Sequence, residues 1–406
     1  MTKSDSASLT MNPAAISMPH VVLFLFFASL SVIGISFGLH ALIVGHQSTF
    51  GTTRQVPWGL LIASYVFFAS MSTGLCIVAS LGQVFGVKTF KPITERTVFL
   101  AIVTIAAGLL SISLELENPW RVPIYSILSP HPESNIWWKS TIYSIYLVLL
   151  TINLRMLHTG KEKHAFWFGL LSLIACLAAN LNMKADMSVL GAREFWRENY
   201  MPLYFVIQAT LLGCSATLFF NWFAGRLNSH IMTNEVKDAL SVIGKFGLVL
   251  LFLSSLFTGW KIEAGLLNKM SENHDAMTLL LKGAYSLNFW GGEVGLAIVI
   301  PILLIIIGKS KNVYALAAAG LTCLVGTFFM IYDLVVVGQL IPVFHKYNVI
   351  DFPKYLSYTP SLHEDMIFVG AISFVFTAFL IWEHFYMIKT SAPVDSTQYH
   401  ETVLVK

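Results

Sequence analysis

The sequence is short of charge and of cysteine. Of its 406 residues only 12% are Asp, Glu, Lys or Arg, against about a quarter in a soluble domain, which excludes an ordinary water-soluble protein. A formal net charge of +3 is too small over this length to imply nucleic acid as a partner, so what matters is which loops hold the positive residues. The four cysteines, Cys76, Cys176, Cys214 and Cys323, each stand alone in an apolar run, with no CxxC, no CxxCH and no cysteine ladder. Such a chain binds no iron–sulfur cluster of its own and attaches no c-type haem. A di-haem cytochrome needs mid-membrane histidine pairs on facing helices, whereas His40, His158, His164 and His384 fall near the ends of apolar runs.

What the sequence has in abundance is apolar residues, 56% of the total, in runs of about 20, the length that crosses a bilayer core. Ten spans are expected, at 21–45, 57–86, 95–115, 136–157, 164–183, 200–224, 242–262, 283–308, 312–338 and 365–390. The fold class is therefore an all-α polytopic membrane protein. Residues 1–20 carry one Lys and one Asp, and no A-x-A site follows, so the first run reads as a membrane helix rather than a signal peptide. Pro57, Pro92, Pro202, Pro342 and Pro360 sit at or near expected ends, where a missing N–H costs little, while Pro301 interrupts the eighth span and predicts a kink.

Lys and Arg totals barely differ between the two sides, but the loops do. Those on the side of the termini, 87–96, 155–163 and 308–311, are short and basic; the opposite ones are long, mixed in charge and rich in Pro and Trp. This predicts a bacterial-type inner membrane protein with both termini cytoplasmic and an outer surface suited to docking another protein.

Loop parity gathers the informative residues on that outer face. Trp58 and Tyr65 come from the start of span two. Glu115, Glu117, Trp120 and Arg121 follow the end of span three, and His131, Trp137 and Trp138 surround the start of span four. Glu263 at the end of span seven, Glu293 about three turns into span eight and Asp333 near the end of span nine belong to the same face. A charge at membrane depth costs a few kcal/mol even on insertion scales, so Glu293 and Asp333 call for a partner, water or a proton. Together with Glu263 they are the candidate proton path. Tryptophans at this height also serve as a plain interfacial belt, Glu115 and Arg121 could simply pair, and the small residues Ser70, Ser72, Thr73 and Gly74 suit close helix packing.

The stretch Val56-Pro57-Trp58-Gly59, continuing through Tyr65-Val66-Phe67-Phe68 to Ser72-Thr73-Gly74, resembles the first core helix of the NrfD/polysulfide-reductase membrane subunits. Glu115-Leu116-Glu117-Asn118-Pro119-Trp120-Arg121 is similar to the family's acidic-Leu-Gly-Arg-Pro-x-Arg segment, with Glu117 standing for Gly and Asn118 for Arg. Ser134-Asn135-Ile136-Trp137 is similar to its Ser-x-x-Trp entry to the next helix. Phe289-Trp290-Gly291-Gly292-Glu293-Val294-Gly295 with Pro301 resembles the ten-helix members.

The resemblance implies two four-helix bundles flanked by the first and last helices. Residues 1–56 then form the tail and first flanking helix, 57–199 the first bundle with a quinone site, 200–340 the second bundle, and 341–406 an outer loop, the last helix and a cytoplasmic tail. It further implies a membrane anchor of a respiratory oxidoreductase complex, quinone-reactive within that complex rather than an enzyme alone. Such an anchor exchanges electrons between the quinone/quinol pool and an iron–sulfur subunit docked on the outer face, with a catalytic subunit beyond it. Glu115 and Arg121 would act at the quinone, and Trp58, Tyr65, His131 and Trp137 would bind it. The residues themselves leave a second reading open, a secondary transporter with a buried carboxylate site.

Overall fold

Ten helices long and apolar enough to cross a membrane occur among the described residues. The computed structural model describes residues 18–189, 193–196, 200–227, 232–267, 271–342 and 353–391. In chain order the helices are α1 (Met18–Val44), α2 (Leu60–Gln83), α3 (Lys91–Glu115), α4 (Asn135–His158), α5 (Glu162–Val189), α6 (Met201–Leu227), α7 (Asn234–Leu267), α8 (Asn288–Ile307), α9 (Val313–Val337) and α10 (Leu362–Ser391). Short helices Arg121–Leu128 and Glu272–Lys282 lie in the connections. The protein is an all-helical, multi-pass membrane protein.

Local chemistry explains most of the boundaries. α1 ends where Gly45 takes φ 103°, a region glycine enters without a Cβ penalty. Ser134 caps α4 by accepting from the Trp137 amide, and Asn312 caps α9 by accepting from Tyr314 and Ala315. The eighth span starts later than expected, because a turn at Gly283, with the Ser286 amide donating to its carbonyl, precedes the helix. Glu293 is thus the sixth residue of α8 rather than three turns inside it. The first twelve residues of α8, Asn288–Val299, are π-helical, and the Ile300 amide donates to the Gly295 carbonyl five residues back. Pro301, which has no amide to give, stands where the π turns pass into the α-helix Ile300–Ile307.

α2 and α6 are the innermost helices, with 89% of each central window buried. They cross at Gly74 and Gly213, where a Cβ on either would overlap the backbone of the other helix. In lipid, where no hydrophobic force drives helix onto helix, such close backbone contact is what holds helices together. Around α2 pack α3 and α5, with α4 on α5; around α6 pack α7 and α9, with α8 on α9. α1 and α10 meet at Gly34 and Gly370 and lie against α3. At the end where α3 begins and α10 finishes, the Arg96 guanidinium binds both Glu383 carboxylate oxygens at 2.6 and 3.0 Å and Asn221 of α6 at 2.8 Å, tying three helices together. The end from which α2, α4, α6, α8 and α10 start is called here the far end.

The crossing predicts a sign reversal. Gly→Ala inside a helix normally gains up to about 1 kcal/mol, and at Gly247, where an added Cβ would meet nothing within 4 Å, thermal unfolding should show that gain. Gly74→Ala should instead lower the melting temperature and the folded yield sharply. Equal effects at the two positions would contradict the crossing.

Candidate functional site

At the far end the first bundle meets the second through Trp58. Its ring stacks on Trp196 with centroids 5.1 Å apart, its amide donates to Gln339 Oε1 at 3.0 Å, and its carbonyl accepts from Gln339 Nε2 at 2.9 Å. The residue is only half-buried, yet its ring is held by Trp196, just before α6, and both its backbone groups by Gln339, just after α9. The next residue, Gly59, has no room for a side chain, because Tyr358 and Glu364 occupy the space.

Glu364 is fully buried at the start of α10. It accepts from the Gly51 amide at 2.8 Å, the Ser361 amide at 2.9 Å and the Tyr358 hydroxyl at 2.5 Å, while Tyr358 accepts from the Leu60 amide at 2.7 Å. Burial, with the neighbouring carboxylate, pushes the Tyr358 phenol well above its usual range, so it remains a protonated donor. Glu115, the last residue of α3, lies within electrostatic reach of Glu364, and its Oε2 is buried with no hydrogen-bond partner among the described residues. It continues the face of Ser111, whose hydroxyl lies 3.2 Å from Ser64 of α2.

Arg121 does not join Glu115. It is exposed in the first turn of Arg121–Leu128, and no ion pair links the two among the described residues. The turn at 116–120 separates them, with the Arg121 amide bound to the Asn118 carbonyl. His131 is exposed, and its ring is hydrogen-bonded within its own loop to the Ser129 carbonyl, 2.6 Å away. Trp137 is half-buried and fastens α4 to the short helix by donating to the Ser126 carbonyl at 2.9 Å. Tyr65 faces a different environment, the interior of the first bundle. There its ring meets Tyr143 edge-on at 6.2 Å and lies 5.3 Å from the Lys139 ammonium. Parity placed all these residues toward one face, but their side chains meet different partners: Glu364 for Glu115, the Ser129 carbonyl for His131, the Ser126 carbonyl for Trp137, and Tyr143 with Lys139 for Tyr65.

The interior of the first bundle is a polar stripe. Toward the other end, the Ser72 hydroxyl lies 3.0 Å from Tyr146, beside the thiols of Cys76 and Cys176. At that other end Gln83, the last residue of α2, donates to Asn153 at 2.6 Å. Asn180, one turn from Cys176 toward the far end, is fully buried with neither its Nδ2 nor its Oδ1 paired.

The second bundle holds a buried ion cluster. Lys261 Nζ donates to Glu293 Oε1 at 2.5 Å and Oε2 at 2.7 Å, and Thr258, one turn before it on α7, donates to Oε1 at 3.3 Å. Glu293 is 1% and Lys261 7% exposed. Asp333, also 1% exposed, accepts from Asn288 at 3.0 Å through Oδ1, while its Oδ2 has no partner among the described residues. Asp333 thus bonds α8 five residues before Glu293, and it lies within electrostatic reach of both Glu293 and Lys261. Glu263 takes no part in the cluster: it is exposed on α7. Two residues along a helix is a rotation of about 200°, so when Lys261 faces the interior Glu263 faces away. The inward charge on α7 is Lys261, which the same rule that singled out Glu293, a lone charge inside an apolar span, would have found. Tyr285, outside the spans beside Asp333, is pushed up to about 12 by burial and by that carboxylate.

A family model described as "Polysulphide reductase, NrfD" matches residues 48–343, which take in α2 through α9 and both interior clusters. The chain belongs to this family. Relatives agree over most of their length. One is a selenate reductase subunit from Mesobacillus selenatarsenatis, 25% identical over 81% of this chain and 85% of the relative. Another is the Hdr-like menaquinol oxidoreductase integral membrane subunit of Archaeoglobus fulgidus, 24% identical over 85% of this chain and 88% of the relative. The family segment leaves out α1 and α10, so the Tyr358–Glu364 block and the Arg96–Glu383 tie join the NrfD core to a helix beyond it.

Proposed function

We propose that this NrfD-family chain is the membrane anchor of a respiratory oxidoreductase complex, exchanging electrons between the quinone pool and an iron–sulfur partner subunit. The observation that carries this reading is the interior of the first bundle toward the far end, where Tyr65 meets Tyr143 and Lys139; at the same end of α3, on a different side, Glu115 holds a buried carboxylate oxygen without a partner among the described residues. That combination fits a quinone headgroup, an aromatic body with two polar ends. Family membership and the menaquinol oxidoreductase relative support it.

A bound quinol supplies two electrons and two protons. On this reading Glu115 Oε2 takes up a proton as a general base, and Tyr65, Tyr143 and Lys139 hold the headgroup. Glu364, fixed by its three donors, sets a second carboxylate next to Glu115. Arg121, His131 and Trp137 belong to the surface that meets the partner. With four isolated cysteines, the chain relies on that partner for the iron–sulfur centre, and a catalytic subunit lies beyond it. The far end faces outward from an inner, cytoplasmic membrane, and both termini are cytoplasmic.

The buried Lys261–Glu293–Asp333 cluster favours a second reading in which the second bundle moves ions. One experiment separates the two. The tagged full-length chain, recovered from gently solubilised membranes, should bring with it an iron–sulfur subunit whose paramagnetic signal appears on adding quinol. A chain that comes away alone and drives ion flux in liposomes without quinol would replace the anchor by a transporter.

A further inference from the structure

Asn180 is the one side chain among the described residues in which a nitrogen donor and an oxygen acceptor are both buried and both unpaired. Its exposure is 0%. Other unpaired atoms at buried positions are single ones, such as the Ser70 hydroxyl or the Trp222 ring nitrogen. An amide placed in a membrane interior with neither end bonded is destabilising at both ends, and a leucine there would not be. Among the described residues no group supplies those bonds.

The position of Asn180 says what it faces. Cys176, one turn before it on α5, lies beside Tyr146 of α4 and Cys76 of α2. Residues four apart on a helix share a face, so Asn180 looks into the same interior, one turn nearer the far end. On α4 the same step from Tyr146 leads to Tyr143 and then Lys139, and on α2 from Ser72 to Tyr65, the residues already paired across the bundle. An interhelical bond, from Asn182 Nδ2 to the Asn135 carbonyl at 3.2 Å, fixes the register of α5 against the start of α4.

We propose that Asn180 reads the headgroup of the bound quinone, donating from Nδ2 to a quinone carbonyl and accepting at Oδ1 from a quinol hydroxyl. The inference rests on the first bundle being the quinone site. A neutral amide suits the task because it offers both donor and acceptor without titrating. It can therefore serve the oxidised and the reduced headgroup at any pH, which a carboxylate or an ammonium cannot.

Thermal unfolding of the full-length chain in detergent, with and without menaquinone-4, tests this without relying on turnover. Wild type should be stabilised by the quinone. Asn180→Leu should melt at or above wild type when quinone is absent, since two unpaired polar atoms are gone, while the quinone concentration needed for half-maximal stabilisation rises about 10-fold, the size of one lost buried hydrogen bond. Asn180→Ala, which cannot overpack, should show the same loss of quinone response. Wild-type quinone response in both variants would overturn the proposal and leave Asn180 as a water-bound amide. No quinone response in wild type itself would overturn the quinone reading of the bundle, and this inference with it.

Discussion

Lys261→Met should destabilise the protein by about 3–5 kcal/mol, because it leaves Glu293 charged, buried and unpaired in the second bundle. Both partners are almost wholly buried and joined through both carboxylate oxygens, so no water is at hand to take the lysine's place. The melting temperature and the yield of folded protein should fall together. The double variant Lys261→Met/Glu293→Gln should recover most of the loss, since replacing a whole buried pair by neutral groups of similar size is often harmless even though breaking one is not. A double variant as unstable as the single one would show that the lysine acts through packing on Phe289, whose ring lies 5.2 Å from Nζ, rather than through charge. If the recovered double variant also oxidises quinol normally but moves no protons in liposomes, the cluster serves ion movement rather than electron transfer.

Glu115→Gln should lower quinol-coupled turnover of the assembled complex at least about tenfold, a floor below the roughly 100- to 10,000-fold that a general base typically contributes. Gln keeps the size and one acceptor of Glu115 but has no basic oxygen to receive a proton. Assembly should survive, because the structure asks nothing of Glu115 Oε2: no donor among the described residues is bonded to it. Glu364 is a different case. Its oxygens carry three hydrogen bonds that hold Gly51, Ser361 and Tyr358 in place, so Glu364→Gln should cost stability before it costs turnover. Unchanged quinone kinetics in an assembled Glu115→Gln complex would move the proton acceptor elsewhere.

Much of the fold could be read without coordinates. Ten apolar runs separated by short basic and long mixed loops define ten helices because a backbone in lipid has to satisfy its own hydrogen bonds. The eighth helix shows the limit. Hydropathy started it at 283, but Gly283 turns the chain, and the helix proper opens at Asn288 in π register. Glycines in Gly291-Gly292-Glu293-Val294-Gly295 hinted at irregularity without saying which hydrogen bonds would change.

The candidate site was legible as a set of residues and illegible as an arrangement. Sequence by itself determined the membrane class, the number of spans, the ends of the helices that share a face, and the intramembrane carboxylates Glu293 and Asp333, because all of these follow from the cost of exposing charge or backbone to hydrocarbon. It also carried the motifs by which the family is recognised. Rotation about each helix axis was decided by the tertiary structure alone. It set Lys261 inward and Glu263 outward, turned Glu115 toward Glu364 instead of Arg121, engaged Trp58 with Trp196 and Gln339, and left Asn180 unpaired in the bundle interior. The reason is physical. Apolar membrane helices show nearly the same hydrophobicity on every side, so no amphipathic pattern fixes which face is buried. That choice falls to the close contacts of Gly74 with Gly213 and of Gly34 with Gly370, which exist only once the helices have met.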